Sequence, residues 1–258
     1  MNRTISLAAA KREARQLFST AQVSPLRMTL LLLAITFPLT VLSQFADSLG
    51  LFSLLSVPQL GISFFSVLVR LMGMVLTAGY ILYALRISAG ECVPYASLFD
   101  GFTFVGRILL ANILVFLCVA LWSTFLLIPG LIACYRYCFT IHNLCLDPDC
   151  SPLEAMRRSR RQTRGHLWAL FCKDCGFAGW YLLVILPVIA YTSLLFADIV
   201  DFPGDSLTGM LCFLACLLLG ELPLLWVRPY WTLTTVQYYR RFSAPPSDDT
   251  FRPDERFL

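Results

Sequence analysis

Charge is scarce in this chain. Only 14% of its 258 residues are Asp, Glu, Lys or Arg, and 58% are apolar. A soluble domain carries about 25% charged residues. So sparse a polar set cannot clothe the water-facing surface of a single packed core, which excludes a soluble globular class. Histidine is scarcer still, with only His142 and His166. Neither sits in an HExxH pattern, and neither a GxSxG elbow nor a P-loop occurs. No grouping of Ser, His and Asp suggests a triad. The chain is therefore expected to be non-enzymatic and to need no cofactor. A cleavable signal peptide is not expected, because the first apolar run begins near Leu26, behind a long polar arm.

What is abundant is the long apolar run. Leu26–Phe45, Gly61–Leu85, Ile108–Ile128, Leu131–Leu146, Cys175–Phe196 and Leu207–Val227 are each candidate membrane helices. Leu131–Leu146 is short for a crossing, the fifth run is entered by helix from Leu167, and the last can continue through Tyr239. About 20 residues at 1.5 Å each cross a ~30 Å hydrocarbon core. Pro129-Gly130 breaks the run from Ile108 to Leu146 into a hairpin, since Pro lacks an N–H and Gly tolerates left-handed geometry. The expected fold is an all-α polytopic membrane bundle of six transmembrane helices with both termini inside.

Charge placement supports this count. The segments then facing the cytoplasm hold Arg3, Lys11, Arg12, Arg15, Arg27, Arg86, Arg107, Arg157, Arg158, Arg160, Arg161, Arg164, Lys173, Arg240, Arg241, Arg252 and Arg256. That is 17 of the 20 Lys and Arg. The outer segments carry only Asp47, Asp198, Asp201 and Asp205. The positive-inside rule produces this asymmetry, and a cell membrane is the expected location. Three parts follow: a basic amphipathic arm over residues 1–25, a membrane domain over 26–242, and a disordered cytoplasmic tail over 243–258. Ten cysteines are present, most inside or beside apolar runs, so small apolar packing residues are expected and disulfides are not.

Asp147-Pro148-Asp149-Cys150 is a turn signal, and Ser151-Pro152-Leu153-Glu154 starts a helix. Ser151 caps, Pro152 takes the first helical position, Glu154 can complete a capping box, and Gly165 stops the helix. Over 151–165, Ala155, Met156, Ser159 and Thr163 share one face. Arg157, Arg158, Arg161 and Arg164 share the other. This basic face either fixes topology or holds anionic headgroups or a membrane-protein partner. No recognition fold surrounds it, so nucleic acid is not an expected partner.

Arg70, Arg136, Glu221 and Arg228 fall at membrane depth, where charges are costly and usually paired or hydrated. Arg70 and Glu221 are expected at similar depths as a buried ion pair. A substrate or ion pathway is the alternative. Cys172-Lys173-Asp174-Cys175, with Cys145 and Cys150, has zinc-ligand chemistry, but a lone CxxC at a span entrance is a weak signal, and no metal is expected.

The second half carries more specific markers. They are Leu126-Leu-Ile-Pro129-Gly130-Leu-Ile, Tyr135-Arg136-Tyr, Asp147-Pro148, Glu154-Ala-Met-Arg-Arg-Ser, Gly165-His-Leu-Trp-Ala-Leu-Phe171, Asp174, Gly179-Trp180, Pro229-Tyr230 and Tyr238-Tyr239. In this order they resemble the DUF975 family of bacterial integral membrane proteins, over roughly residues 98–241. The family is similar, more distantly, to the six-helix membrane domain attached to some glycerophosphodiester phosphodiesterases. No attached catalytic domain is expected here, so that activity is not implied. The resemblance implies a membrane fold and marks Asp174 and Arg136 as positions of interest. It assigns no activity. In the family pattern the positions of Cys172 and Cys175 are commonly apolar, which weakens a metal site further. The reading favoured by sequence is a scaffold, regulatory or assembly component of the membrane. A transporter for a small solute or lipid, using Arg70, Glu221 and Arg136, is second.

Overall fold

The computed structural model describes residues 7–20, 23–48, 64–197 and 207–243, all in helices and short turns. The expectations for Thr4–Ser6, Gly61, Asp198, Asp201, Asp205 and the tail beyond 243 lie outside the described residues. The helices are α1 (Leu7–Thr20), α2 (Pro25–Ser48), α3 (Phe64–Ser88), α4 (Val105–Phe125), α5 (Leu127–Tyr137), α6 (Thr140–Leu146), α7 (Pro152–Gln162), α8 (Leu167–Cys175), α9 (Ala178–Phe196) and α10 (Leu207–Ser243). A 3-10 helix, Tyr95–Phe104, leads into α4. The all-α class read from the sequence is therefore found.

Five helical segments among the described residues are long and apolar enough to cross a membrane: α2, α3, the 3-10 helix with α4, α9 and α10. Their outward faces are apolar. Phe116 is 69% exposed, Phe125 73% and Phe196 91%. Such continuous apolar exposure is what hydrocarbon, not water, tolerates.

The expected helix over Leu131–Leu146 differs in detail. The backbone breaks at Leu126, which is extended at φ −163°, and helix resumes at Leu127. Pro129 and Gly130 sit in the first turn of α5, where a missing N–H costs nothing. Gly130 is needed for close approach: a Cβ there would come within 2.1 Å of the Ser123 hydroxyl on α4. Neither it nor Pro129 makes a left-handed bend, and positive φ occurs among the described glycines at Gly90 and Gly165. The run then breaks again at Cys138 and Phe139, and α6 completes it. Together α5 and α6 return along α4, from Gly130 against Ser123 to Leu144 against Ala111. Beyond them Arg107 meets Asp149 at 3.3 Å.

The 3-10 helix was not anticipated. It lies against α3 because two glycines permit backbone contact: a Cβ on Gly79 would fall 1.9 Å from the Leu98 carbonyl oxygen, and one on Gly101 2.5 Å from that of Val75. The Arg86 guanidinium donates to Asp100 at 2.6 Å and ties the two elements.

The packed core lies at the end where the basic segments gather. Tyr83, Leu98, Phe139, Leu170, Leu233 and Tyr238 are all buried there. The Tyr239 hydroxyl donates to Asn143 at 2.9 Å, and Arg240 donates to the Ser88 carbonyl. Helix α1 is part of this core. Ala10 and Ala14 are fully buried, the Tyr230 hydroxyl donates to the Lys11 carbonyl at 3.1 Å, and Glu13 pairs with Arg241.

Helix α7 follows its sequence closely. Ser151 accepts from the Glu154 N–H at 3.2 Å, Pro152 opens the helix, and Gly165 has φ +84°. Ala155, Met156, Ser159 and Thr163 are buried. The Ser159 hydroxyl donates to the Arg136 carbonyl at 2.8 Å, so the polar members of the buried face are satisfied by α5. The capping box is replaced by another arrangement. The Glu154 carboxylate faces Arg161 at 2.9 Å and Arg158 at 3.6 Å.

Candidate functional site

Arg70, Glu221 and Arg228 line one cavity of about 430 Å³ between α2, α3 and α10. Thr36, Thr77 and Asn112 also line it. Each threonine hydroxyl donates backwards within its own helix, Thr36 to Leu32 at 2.9 Å and Thr77 to Gly73 at 2.7 Å. Their lone pairs remain available toward the cavity. Serine and threonine satisfy themselves this way in apolar helices. One Glu221 oxygen is buried and has no hydrogen-bond partner among the described residues.

The expected ion pair between Arg70 and Glu221 is not formed. None of the salt bridges among the described residues involves Arg70, Glu221 or Arg228. Arg70 is exposed and also lines a second cavity of about 290 Å³ with Thr36 and Thr40 of α2, whereas Glu221 is half-buried on α10. Arg136 is elsewhere. Its side chain is exposed on α5, and its carbonyl serves α7.

A second polar cluster was read from sequence only in part. Lys173, counted there as a topology charge, is 3% exposed. Its ammonium donates to the Thr235 hydroxyl at 2.8 Å and meets Asp174 at 2.9 Å. It also lies 4.4 Å from the centroid of the Trp231 ring. The Trp231 indole donates to Asp174 at 2.8 Å, and the Tyr135 hydroxyl shares the same carboxylate. Burial lowers the Lys173 pKa, and the Asp174 carboxylate offsets part of that. The cluster fastens α8 to α5 and α10 with its groups satisfied, which is a structural role for Asp174. The signal for it was available: a Lys beside an Asp at the entrance of an apolar run.

The arginine face of α7 is divided. Arg158 binds Asp147 at 3.0 Å, and Arg161 binds Glu154. Arg157, Arg160 and Arg164 are exposed and make no ion pair among the described residues. The free basic surface is thus Arg157, Arg160 and Arg164, not the four residues named from the helical wheel. All ten cysteines are free thiols. Cys145 contacts the Ala78 carbonyl at 3.5 Å and Cys150 its neighbour Ser151. No three His, Cys, Asp or Glu side chains converge among the described residues.

Fold and cavity together describe an all-α bundle, with helices apolar enough for a membrane, and one cavity to which three charged side chains contribute. Residues 124–245 match the model of the family described as protein of unknown function, DUF975. The resemblance read from the sequence therefore holds over that region, and the stretch 98–123 lies before it. No curated protein and no solved structure matches the chain. The motif residues acquire physical roles. Asp147 holds Arg158, Gly165 turns the chain, Pro148 lies in the exposed turn before α7, and Pro229 is buried in α10. Trp180 and Tyr230 line a separate groove beside α1.

Proposed function

We propose that this chain is a non-enzymatic, six-span protein of a bacterial cell membrane that takes up a small anionic solute in the cavity of Arg70, Glu221 and Arg228, as a transporter does. One observation carries the proposal: three intramembrane charges share a cavity without pairing. A scaffold that only needed them for packing would hold them as dry pairs, because an unpaired charge in an apolar interior is expensive. Two guanidinium groups against one carboxylate leave a net positive wall, which suits an anion. The volume lies within the range of about 300–1,000 Å³ usual for small-ligand sites.

The sixth crossing in this reading is α5 with α6, broken at Cys138–Phe139 and packed back along α4. Twenty residues of helix and turn match the span of α4, about 31 Å at 1.5 Å per residue. Helix α1 and the end of α10 pack together through Glu13 and Arg241, which puts them on one side, and the basic residues gathered there support facing that side inward.

The test is ligand-dependent stabilisation of the purified full chain against a panel of small carboxylates and phosphates. Bound ligand stabilises by about 2.7 kcal/mol at a hundredfold excess over its Kd. At least one compound should raise the melting temperature with increasing concentration, and Arg70→Gln and Arg228→Gln should each abolish that shift. A panel without effect, or a shift that survives both substitutions, would remove the anion site.

A further inference from the structure

A groove of about 520 Å³ runs between α1, the turn joining α8 to α9, and α10, away from the intramembrane cavity. Lys11 and Arg15 supply its charge, Phe18, Phe177 and Tyr230 its more buried aromatic lining, and Trp180 and Trp226 its exposed rings. The two cations are one helical turn apart, so both reach the same opening. The Lys11 ammonium touches the Gly176 carbonyl at 3.3 Å and lies 4.7 Å from the Phe177 ring centroid. No carboxylate answers it: neither Lys11 nor Arg15 forms a salt bridge among the described residues.

The exposed rings have different chemistry. Trp180 is 51% exposed and Trp226 66%, and both continue into the bare apolar face of α9 at Leu182, Leu183 and Leu186. Amphipathic rings of this kind settle at the headgroup level of a bilayer. A ligand for this groove must therefore carry a negative group for Lys11 and Arg15 and an apolar body for the tryptophans and α9. A soluble anion lacks the second feature, and a zwitterionic lipid lacks the net charge.

We propose that the groove binds one anionic phospholipid from the leaflet at the basic end of the bundle. Its phosphate sits at Lys11 and Arg15, and its glycerol and upper acyl chain lie along Phe177, Trp180 and Trp226. The lipid then cements α1 to the bundle. Helix α1 thus has a specific seat, beyond the general headgroup contact its amphipathic sequence suggests.

The experiment is native mass spectrometry of the full chain released from mixed phosphatidylglycerol and phosphatidylcholine bilayers at moderate salt. Wild type should retain one phosphatidylglycerol in preference to phosphatidylcholine. Two cations at the headgroup level predict a drop of about tenfold or more in that retention for the double change K11Q/R15Q. The charge-preserving K11R/R15K should retain it, which separates lost charge from damaged packing. The triple change R157Q/R160Q/R164Q should also retain it, since those residues lie on α7. Equal retention by K11Q/R15Q and wild type would overturn the site. So would indifference to headgroup, or loss confined to the α7 variant.

Discussion

Lys173 lies almost closed to solvent, and three contacts compensate the charged form of its amine. Thr235, Asp174 and the Trp231 face receive the ammonium, while Trp231 and Tyr135 hold the carboxylate. Such networks lose more stability when one member is removed than when all are replaced by apolar groups. Trp231→Phe removes one hydrogen bond to a charged group and should cost about 1.5–3 kcal/mol in a denaturation experiment. The pH dependence has a definite sign. Because burial places the folded-state pKa of Lys173 below its ordinary value of 10.5, the unfolded chain binds more protons between the two values. The contribution of Lys173 to stability therefore rises with pH through that window and is complete above 10.5, and it is lost as pH falls through the folded value. Compared with Lys173→Met across the alkaline range, wild type should gain ground as pH rises. A constant difference between the two would contradict the account.

At the scale of elements, glycines decide where backbones touch. Gly79→Ala would force the 3-10 helix away from α3 and should cost about 1–3 kcal/mol, read as a lower melting temperature. Helix α7 separates holding from display. Arg158→Gln should lower stability by freeing Asp147, whereas R157Q/R160Q/R164Q should leave the melting temperature unchanged and weaken only salt-sensitive adhesion to anionic vesicles. Much of this element was legible: Ser151, Pro152 and Gly165 are local signals, and local geometry obeys them. The apolar runs were legible too, because hydrocarbon demands length and apolarity before anything else. The break at Cys138–Phe139 was not, since no Pro or Gly marks it. Nor was the 3-10 helix, whose cause is a tertiary approach between Gly79 and Leu98, and Gly101 and Val75, far apart in the chain. Residue spacing suggested that Arg70 and Glu221 lie near one another, and both line one cavity, but the absence of an ion pair between them was not legible.

Across the whole molecule, one end is packed and tied, and the other is apolar and bare. Arg86, Arg107, α1, α7 and the end of α10 are joined at the packed end by Asp100, Asp149, Glu13 and Gln162. The unpaired charges lie between this end and the apolar faces of α3 and α10. On the proposed reading, the chamber, more than the basic surface, is the feature that serves the function. The most direct test is whether water-borne anions reach it in a bilayer. The chain is reconstituted with its native cysteines replaced by serine, carrying either Thr77→Cys in the cavity wall or Phe116→Cys on the exposed face of α4. A negatively charged, water-soluble thiol reagent should label the cysteine at 77 at least tenfold faster than that at 116, and Arg70→Gln should slow the labelling at 77. Equal, negligible labelling at both positions would mean a dry interior, and the chamber would then have no access for a solute.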